Sequence, residues 1–249
     1  MTEIELLVDF HQDAARQGPG SISETKKALN LMDVRKHDHL NIADIGCGSG
    51  AQTITLAQNT DAQITAVDLF PEFLEKLDAK AKELGFQDRI KTVARSMEDL
   101  PFGHESLDII WSEGAIYIMG FEKGVTAWRP FLKTGGFLAV SEISWITNSR
   151  PKELETYWLN AYAEIDTVSN KINVLQRSGY APVAHFILPP YCWIDHYYQP
   201  MQERFASFLS RHGHSDMAKA LVESNREEIR IYEKYQDFYS YGFYIGRKL

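Results

Sequence analysis

A short apolar run through Ile42, Ala43 and Ile45, interrupted only by Asp44, ends in three alternating glycines, Gly46, Gly48 and Gly50. Residues 52–58 continue as the start of a helix. A strand that breaks into a glycine turn and then a helix is the opening unit of nucleotide-type α/β folds. Each glycine removes a side chain where the backbone must turn tightly or approach a ligand closely. The helix behind the loop offers free N–H groups at its start. The stretch therefore predicts a cofactor cradle and commits the chain to an α/β architecture.

The rest of the sequence alternates in the way such a cradle requires. Strands are expected at 40–45, 63–67, 89–94, 107–111 and 137–141, with helices at 52–58, 71–84 and 121–132 between them. Pro71 suits a first helical turn and Gly85 a helix end. Such alternation indicates a mostly parallel, doubly wound sheet covered on both faces. Ahead of it, residues 1–17 read as an amphipathic helix, broken by Gly18-Pro19-Gly20. Ser21 and Glu24 form a capping-box pattern for a second helix reaching Met32. After it, helices are expected at 152–163 and 166–177, a strand at 182–188, a helical insertion within 190–240, and a closing strand at 242–248. The organisation is one domain over 1–249: N-terminal helices and lid at 1–35, cofactor core at 36–145, and substrate side at 146–249.

Composition removes several function classes. Twenty-six basic residues against 34 acidic give a net charge of −8, against a broad nucleic-acid footprint. No apolar run nears the ~20 residues of a membrane span. Residues 1–13 carry acids early and no basic segment before an apolar core, unlike a secretory signal. Cys47 and Cys192 are the only cysteines, too few for a disulfide framework. A cytoplasmic protein acting on a small molecule is expected, with no membrane insertion and a homodimer as an allowed assembly.

The glycine loop also satisfies a dinucleotide-binding pattern, with Ala51 in the last place and Asp68 ending the second strand about 20 residues on, where a ribose-binding acid belongs. Three features argue otherwise. No Lys or Arg occurs between 41 and 59 to grip phosphates. Asp44 precedes the first glycine, repelling a pyrophosphate and attracting a cation. Acids recur near the strand ends, at Asp44, Asp68, Glu113 and Glu142, where a doubly wound sheet forms its ligand crevice. An acidic crevice suits the sulfonium and ammonium of S-adenosylmethionine.

The segment from Asp44 to Gly50 resembles the first motif of class I S-adenosylmethionine-dependent methyltransferases. Asp68 matches the family's acid at the end of strand two. Residues 95–102, 106–112 and 132–142 resemble its segments after strand three, at strand four and entering strand five. The five pieces cover about residues 40–145 in the right order, and the nearest likeness is to the small-molecule branch, which includes quinone C-methyltransferases and cyclopropane fatty-acid synthases. The resemblance implies a seven-stranded Rossmann-like sheet with its last strand antiparallel, and S-adenosylmethionine as cofactor. It implies that Asp68 holds the ribose hydroxyls. Where the family has an adenine-binding Asp, this chain has Ser96, which leaves Ser96, Met97 or Glu98 to do that work. The full candidate cofactor set is Gln17, Gly18, Asp44, Gly46, Cys47, Gly48, Gly50, Asp68, Leu69, Ser96, Met97, Glu98 and Ser112, with no metal. Competing readings are an NAD(P)-dependent oxidoreductase and a non-catalytic S-adenosylmethionine-binding protein.

Methyl transfer needs alignment and exclusion of water, and a base only where the nucleophile carries a proton. Candidate catalytic residues are Glu113, after strand four, Tyr117 in the apolar stretch behind it, and His196. His196 belongs to an aromatic cluster with Tyr191, Trp193, Tyr197 and Tyr198 that walls a substrate pocket or forms core. Gln17-Gly18-Pro19-Gly20-Ser21 is a compact turn able to bring N–H groups to a ligand, so residues 10–21 are expected to act as a lid. His37-Asp38-His39 and His212-Gly213-His214 lack partners for a ligand set. Cys47 reads as a small loop residue without an accompanying base.

Overall fold

The computed structural model describes residues 2–34, 37 and 39–249 of the chain. Asp38, part of the His37-Asp38-His39 triplet, lies outside the described residues, as do Met1, Arg35 and Lys36.

The glycine-loop unit forms as its sequence dictates. β1 (Asn41–Ile45) enters the loop, and α3 (Ala51–Asn59) leaves it. β2 (Gln63–Asp68), α4 (Pro71–Glu83), β3 (Ile90–Ala94), β4 (Leu107–Glu113), α5 (Phe121–Trp128) and β5 (Leu132–Trp145) follow. The sheet runs in the order β3-β2-β1-β4-β5-β8-β7, with the strands up to β5 parallel. Ile42, Ala43, Ile45, Ile109, Ile110 and Trp111 are all buried, because a parallel strand with helices on both faces has no solvent side. Strand order reverses between β1 and β4, and the carboxyl ends there open the crevice that positions the site.

The second half is less local. α6 (Lys152–Ala161), a two-residue β6 (Asp166–Thr167), α7 (Val168–Arg177) and β7 (Tyr180–Ile187) lead into the insertion. The chain ends in β8 (Tyr239–Lys248), which slots between β5 and β7 and is antiparallel to both. The sheet thus holds eight strands, β6 being a short addition beside β5. The α7 helix starts two residues later than expected, because Thr167 stays extended and its side chain caps the Asn170 N–H at 3.3 Å.

β5 is 14 residues long, well beyond the expected 137–141. Glu142 and Ser144 look like a polar end to a strand. They are buried and partnered instead: Glu142 Oε1 accepts from Lys171 Nζ at 3.2 Å, and Ser144 Oγ lies 2.6 Å from the Tyr244 hydroxyl. Satisfied in this way, the strand pairs with β8 as far as Trp145.

At the front, α1 (Glu3–His11) begins with a full capping box between Thr2 and Glu5 and stops six residues short of the expected helix. α2 (Ile22–Asn30) has half a box: Ser21 Oγ accepts the Glu24 N–H at 3.1 Å, but the Glu24 carboxylate takes the Tyr191 hydroxyl at 2.7 Å. The segment between the two helices is thereby free to cross the sheet end. The insertion comprises α8 (Tyr191–Trp193), a π-helical turn (Ile194–Tyr198), α9 (Gln199–Arg211) and α10 (Asp216–Tyr235). Its centre is Trp193, which stacks on Tyr232 at 4.6 Å, meets Tyr239 and Tyr241 edge-on, and donates from Nε1 to Ser240 Oγ at 2.9 Å. Replacing Trp193 with Ala empties the contact between insertion and sheet and should cost about 3–5 kcal/mol, read as a lower midpoint in urea unfolding.

Candidate active site

A cavity of about 490 Å³ opens at the carboxyl ends of β1, β2 and β4. The glycine loop forms one wall with Gly46, Cys47 and Gly48. Gly46 and Gly48 have φ of +71° and +54°, and a Cβ on Gly48 would sit 2.2 Å from Gln17 Oε1. The loop therefore needs glycine for both its turn and its neighbour. At the tip of β2, Asp68 accepts the Gly48 N–H at 2.8 Å and the Phe70 N–H at 3.0 Å, which orients its carboxylate along the wall. Burial raises the Asp68 pKa, while the backbone bonds from Phe70, Gly48 and Leu69 pull it down. Leu69, Ser96 and Met97 continue the same wall, and the Met97 carbonyl is anchored by Trp128 Nε1 at 3.0 Å.

The opposite wall is the segment between α1 and α2. Arg16, Gln17, Gly18 and Pro19 all line the cavity. Gln17 Oε1 accepts the Ser49 N–H at 2.9 Å, and its Nε2 donates to Ser49 Oγ at 3.0 Å and to the carbonyls of His11 and Ala14. Arg16 Nη2 is paired with Glu113 Oε2, both side chains being almost wholly buried. Arg16 Nη1 is buried without a partner.

Several sequence candidates stand elsewhere than expected. Asp44 does not line the cavity. It is fully buried, accepting from Thr53 Oγ1 at 2.5 Å and Gln52 Nε2 at 3.3 Å, so it orders the first turn of α3 rather than facing a ligand. Burial pushes its pKa up to about 7, which removes much of the negative charge assigned to the crevice. Gly50 packs against Leu77 behind the loop. Ser112 is buried within β4, and Glu98 is exposed and paired with Lys123. His196 is exposed on the π-helical turn, outside the cavity wall, because Tyr197 and Tyr198 take the inward positions. Trp193 and Tyr198 are core, and Tyr197 alone of the aromatic cluster lines the cavity.

Glu113 and Tyr117 do line it. Glu113 is committed to three donors, Arg16, Thr25 Oγ1 at 2.7 Å and Trp111 Nε1 at 2.9 Å, which makes it an anchor and not a free base. The Cys47 thiol is pushed well up by burial and by Asp44 and Asp68, so it stays protonated. His212 Nε2 lies 2.7 Å from Asp9 Oδ2, the carboxylate accepting the ring N–H. Among the described residues, no three His, Cys, Asp or Glu side chains are grouped to hold a metal. Sequence reasoning missed Arg16 and His11, which line the cavity from a segment without a motif. The basic residue itself was the available signal for Arg16, next to the Gly-Pro-Gly turn.

Residues 42–136 match the family described as methyltransferase domain. This stretch, less than half of the chain, is similar to a methyltransferase domain. It is similar to the methyltransferase GfsG of Streptomyces halstedii, 26% identical over 56% of this chain and 54% of that protein. It is also similar to the erythromycin 3''-O-methyltransferase of Saccharopolyspora erythraea, 36% identical over 41% of this chain and 34% of that one. The chain spans about half the length, or less, of the curated relatives it matches. A structure of an S-adenosylmethionine-dependent methyltransferase from Geobacter sulfurreducens, in complex with S-adenosylhomocysteine, shares the fold at TM-score 0.85 and 16% identity over 98% of both chains. No helix among the described residues is long and apolar enough to cross a membrane.

The Asp44 environment makes a pH prediction. Its pKa rises from 3.8 to about 7 on folding, so between those values the unfolded chain has lost a proton that the folded chain keeps. Its contribution to stability therefore falls as pH rises from about 4 to about 7, by on the order of 1.4 kcal/mol per shifted unit. His11, lowered from 6.5 to about 4, acts in the opposite sense over an overlapping range. The Asp44→Asn variant isolates the first effect: the stability difference from wild type should shift in favour of the variant across pH 4–7 in urea titrations, and stay flat above pH 8.

Proposed function

We propose that this chain transfers a methyl group from S-adenosylmethionine to a small-molecule acceptor. The observation that carries the reading is the shared wall of Gly46, Gly48 and Asp68, where a backbone turn without side chains and a carboxylate fixed by two N–H groups meet one cavity. Asp68 would hold the ribose hydroxyls, and Leu69, Ser96 and Met97 the adenine. Arg16 fits the methionine carboxylate: its Nη1 is buried with no protein partner, and an arginine pairs well with a carboxylate. The cofactor's amino-acid end thus meets a cation beside a fixed acid, rather than the uniformly acidic crevice of the sequence reading.

The bound cofactor supplies a methyl carbon activated by its sulfonium. The protein's own contribution is positional. Gln17 clamps residues 12–20 onto Ser49, and the Arg16–Glu113 pair fastens the same segment to the end of β4. Residues 10–21 thereby form the cover that excludes water and holds the donor still. Relatives named as O- and C-methyltransferases of natural products and sterols support a small-molecule acceptor. Two free, buried cysteines fit the reducing cytoplasm as the working compartment.

Calorimetry decides between donors: S-adenosylmethionine and S-adenosylhomocysteine should bind, and NAD should not. The Arg16→Met/Glu113→Gln double variant, which leaves neither buried charge alone, should bind S-adenosylmethionine about 10- to 100-fold more weakly. Binding of NAD in preference, or no loss in the double variant, would count against the assignment. A methyl-release assay over a metabolite panel separates an enzyme from a protein that only binds the cofactor.

A further inference from the structure

The cavity wall changes character from one set of elements to another. The sheet loops and the covering segment bring Asp68, Arg95, Arg16 and Glu113. The remaining side is built by α1, the turn after β4 and the insertion, through Leu7, Val8, His11, Tyr117, Ile118 and Tyr197. That side carries no Asp, Glu, Lys or Arg. Its polar groups are two phenols and one imidazole. Leu7, Tyr117 and Ile118 are also well exposed, at 41%, 44% and 65%, so the apolar surface continues out to the mouth. A charged acceptor would leave water for a wall with nothing to pair with it.

Few groups in the cavity can take a proton. Glu113 is saturated by Arg16, Thr25 and Trp111. Asp68 accepts two backbone N–H groups on the donor side. Burial holds the Cys47 thiol and the Tyr197 phenol in their protonated forms. His11 differs. No hydrogen bond ties its ring to any described residue, and its Nδ1 is buried without a partner. Packing fixes its place: the neighbouring Phe10 meets Phe208 edge-on at 4.9 Å and stacks on Phe205 at 6.0 Å. Desolvation, and then Arg204 on α9, lower the His11 pKa to about 4. The other charged groups nearby are Asp9, turned to Arg211 and His212, and Arg16, turned to Glu113. The imidazole is therefore a neutral, unengaged base at working pH.

We propose that the acceptor is an uncharged, largely apolar molecule methylated on a hydroxyl oxygen, and that His11 receives the hydroxyl proton. This rests on the methyl-transfer reading above. A lone pair of the acceptor oxygen forms the new O–C bond while the S–C bond breaks, its electrons passing to sulfur to leave a neutral thioether. The O–H proton moves to the free ring nitrogen of His11, giving an imidazolium that returns it to water after product leaves. A weak base suffices, because an oxygen forming its third bond takes on positive charge and becomes far more acidic than an imidazolium. An amine acceptor would need no such base.

The test uses the whole chain with 1-naphthol, 1-naphthylamine and 1-naphthoic acid as probes. Methylation of 1-naphthol on oxygen, ahead of the amine and the acid, is expected. The His11→Gln variant should lose about 10²- to 10⁴-fold on 1-naphthol. On 1-naphthylamine, uncharged at neutral pH, it should lose less than about tenfold, since an amine nitrogen needs no base to form its new bond. Calorimetric affinities for S-adenosylhomocysteine, and for 1-naphthol in that complex, should stay within about twofold of wild type. Preference for the amine or the acid overturns the inference and leaves methyl transfer standing. Equal losses on 1-naphthol and 1-naphthylamine, or none on 1-naphthol, also overturn it. Tight S-adenosylmethionine binding with no transfer to any probe overturns this inference alone, and failure to bind S-adenosylmethionine overturns the methyl-transfer reading itself.

Discussion

Glu113 is the point on which the site depends. A carboxylate at the end of a central parallel strand, with its side chain almost excluded from water, is unfavourable unless donors surround it. Here the donors come from three places: Arg16 in the covering segment, Thr25 on α2, and Trp111 on β4 itself. One buried charge thus ties the N-terminal region to the sheet. Losing either partner of the Arg16–Glu113 pair would leave the other charge stranded, which is why the pair holds the cover in one position. The pair also explains why an acid at a favourable place for catalysis is poorly available for it.

Asp44 shows the same logic with a different outcome. It too is a buried acid at a strand end, yet its donors are neutral, Thr53 and Gln52, and no cation lies against it. Desolvation then dominates and its pKa climbs to about 7. The residue serves α3: by holding Thr53 and Gln52 it fixes the helix whose first turn backs the glycine loop. Two acids read from sequence as equivalent crevice charges are separated by their partners, and neither presents the free negative charge that their spacing suggested.

The difference follows from which signals are local. The glycine loop, Asp68 and the strand alternation are encoded within short windows, so the core of the sheet and the cavity wall of Gly46, Gly48 and Asp68 could be read directly. The length of β5 could not, since Glu142 and Ser144 look like strand terminators until Lys171 and Tyr244 are brought beside them from 29 and 100 residues away. Helix α1 was expected to run to residue 17 on its apolar spacing, and its early stop depends on Arg16 and Gln17 finding Glu113 and Ser49. His196 and Tyr197 are adjacent in sequence, and only the π-helical turn decides that the tyrosine faces the cavity and the histidine the solvent. Wherever a side chain's direction depends on long-range packing, residue type alone carried no information.

That dependence has a consequence for how the two sides of the cavity work together. Gln17 makes hydrogen bonds in two directions: to Ser49 in the glycine loop, and to the His11 carbonyl at 3.3 Å. A single side chain therefore joins the donor-binding loop to the end of the helix that carries the acceptor-side imidazole. Six residues separate His11 from Gln17, too few to move independently once both ends are held. The covering segment is in this sense one mechanical part with two faces. In the proposed reading the donor face needs charge and hydrogen bonds, which Arg16 and Gln17 would provide, and the acceptor face apolar surface and an unengaged base, which Leu7, Val8 and His11 would provide.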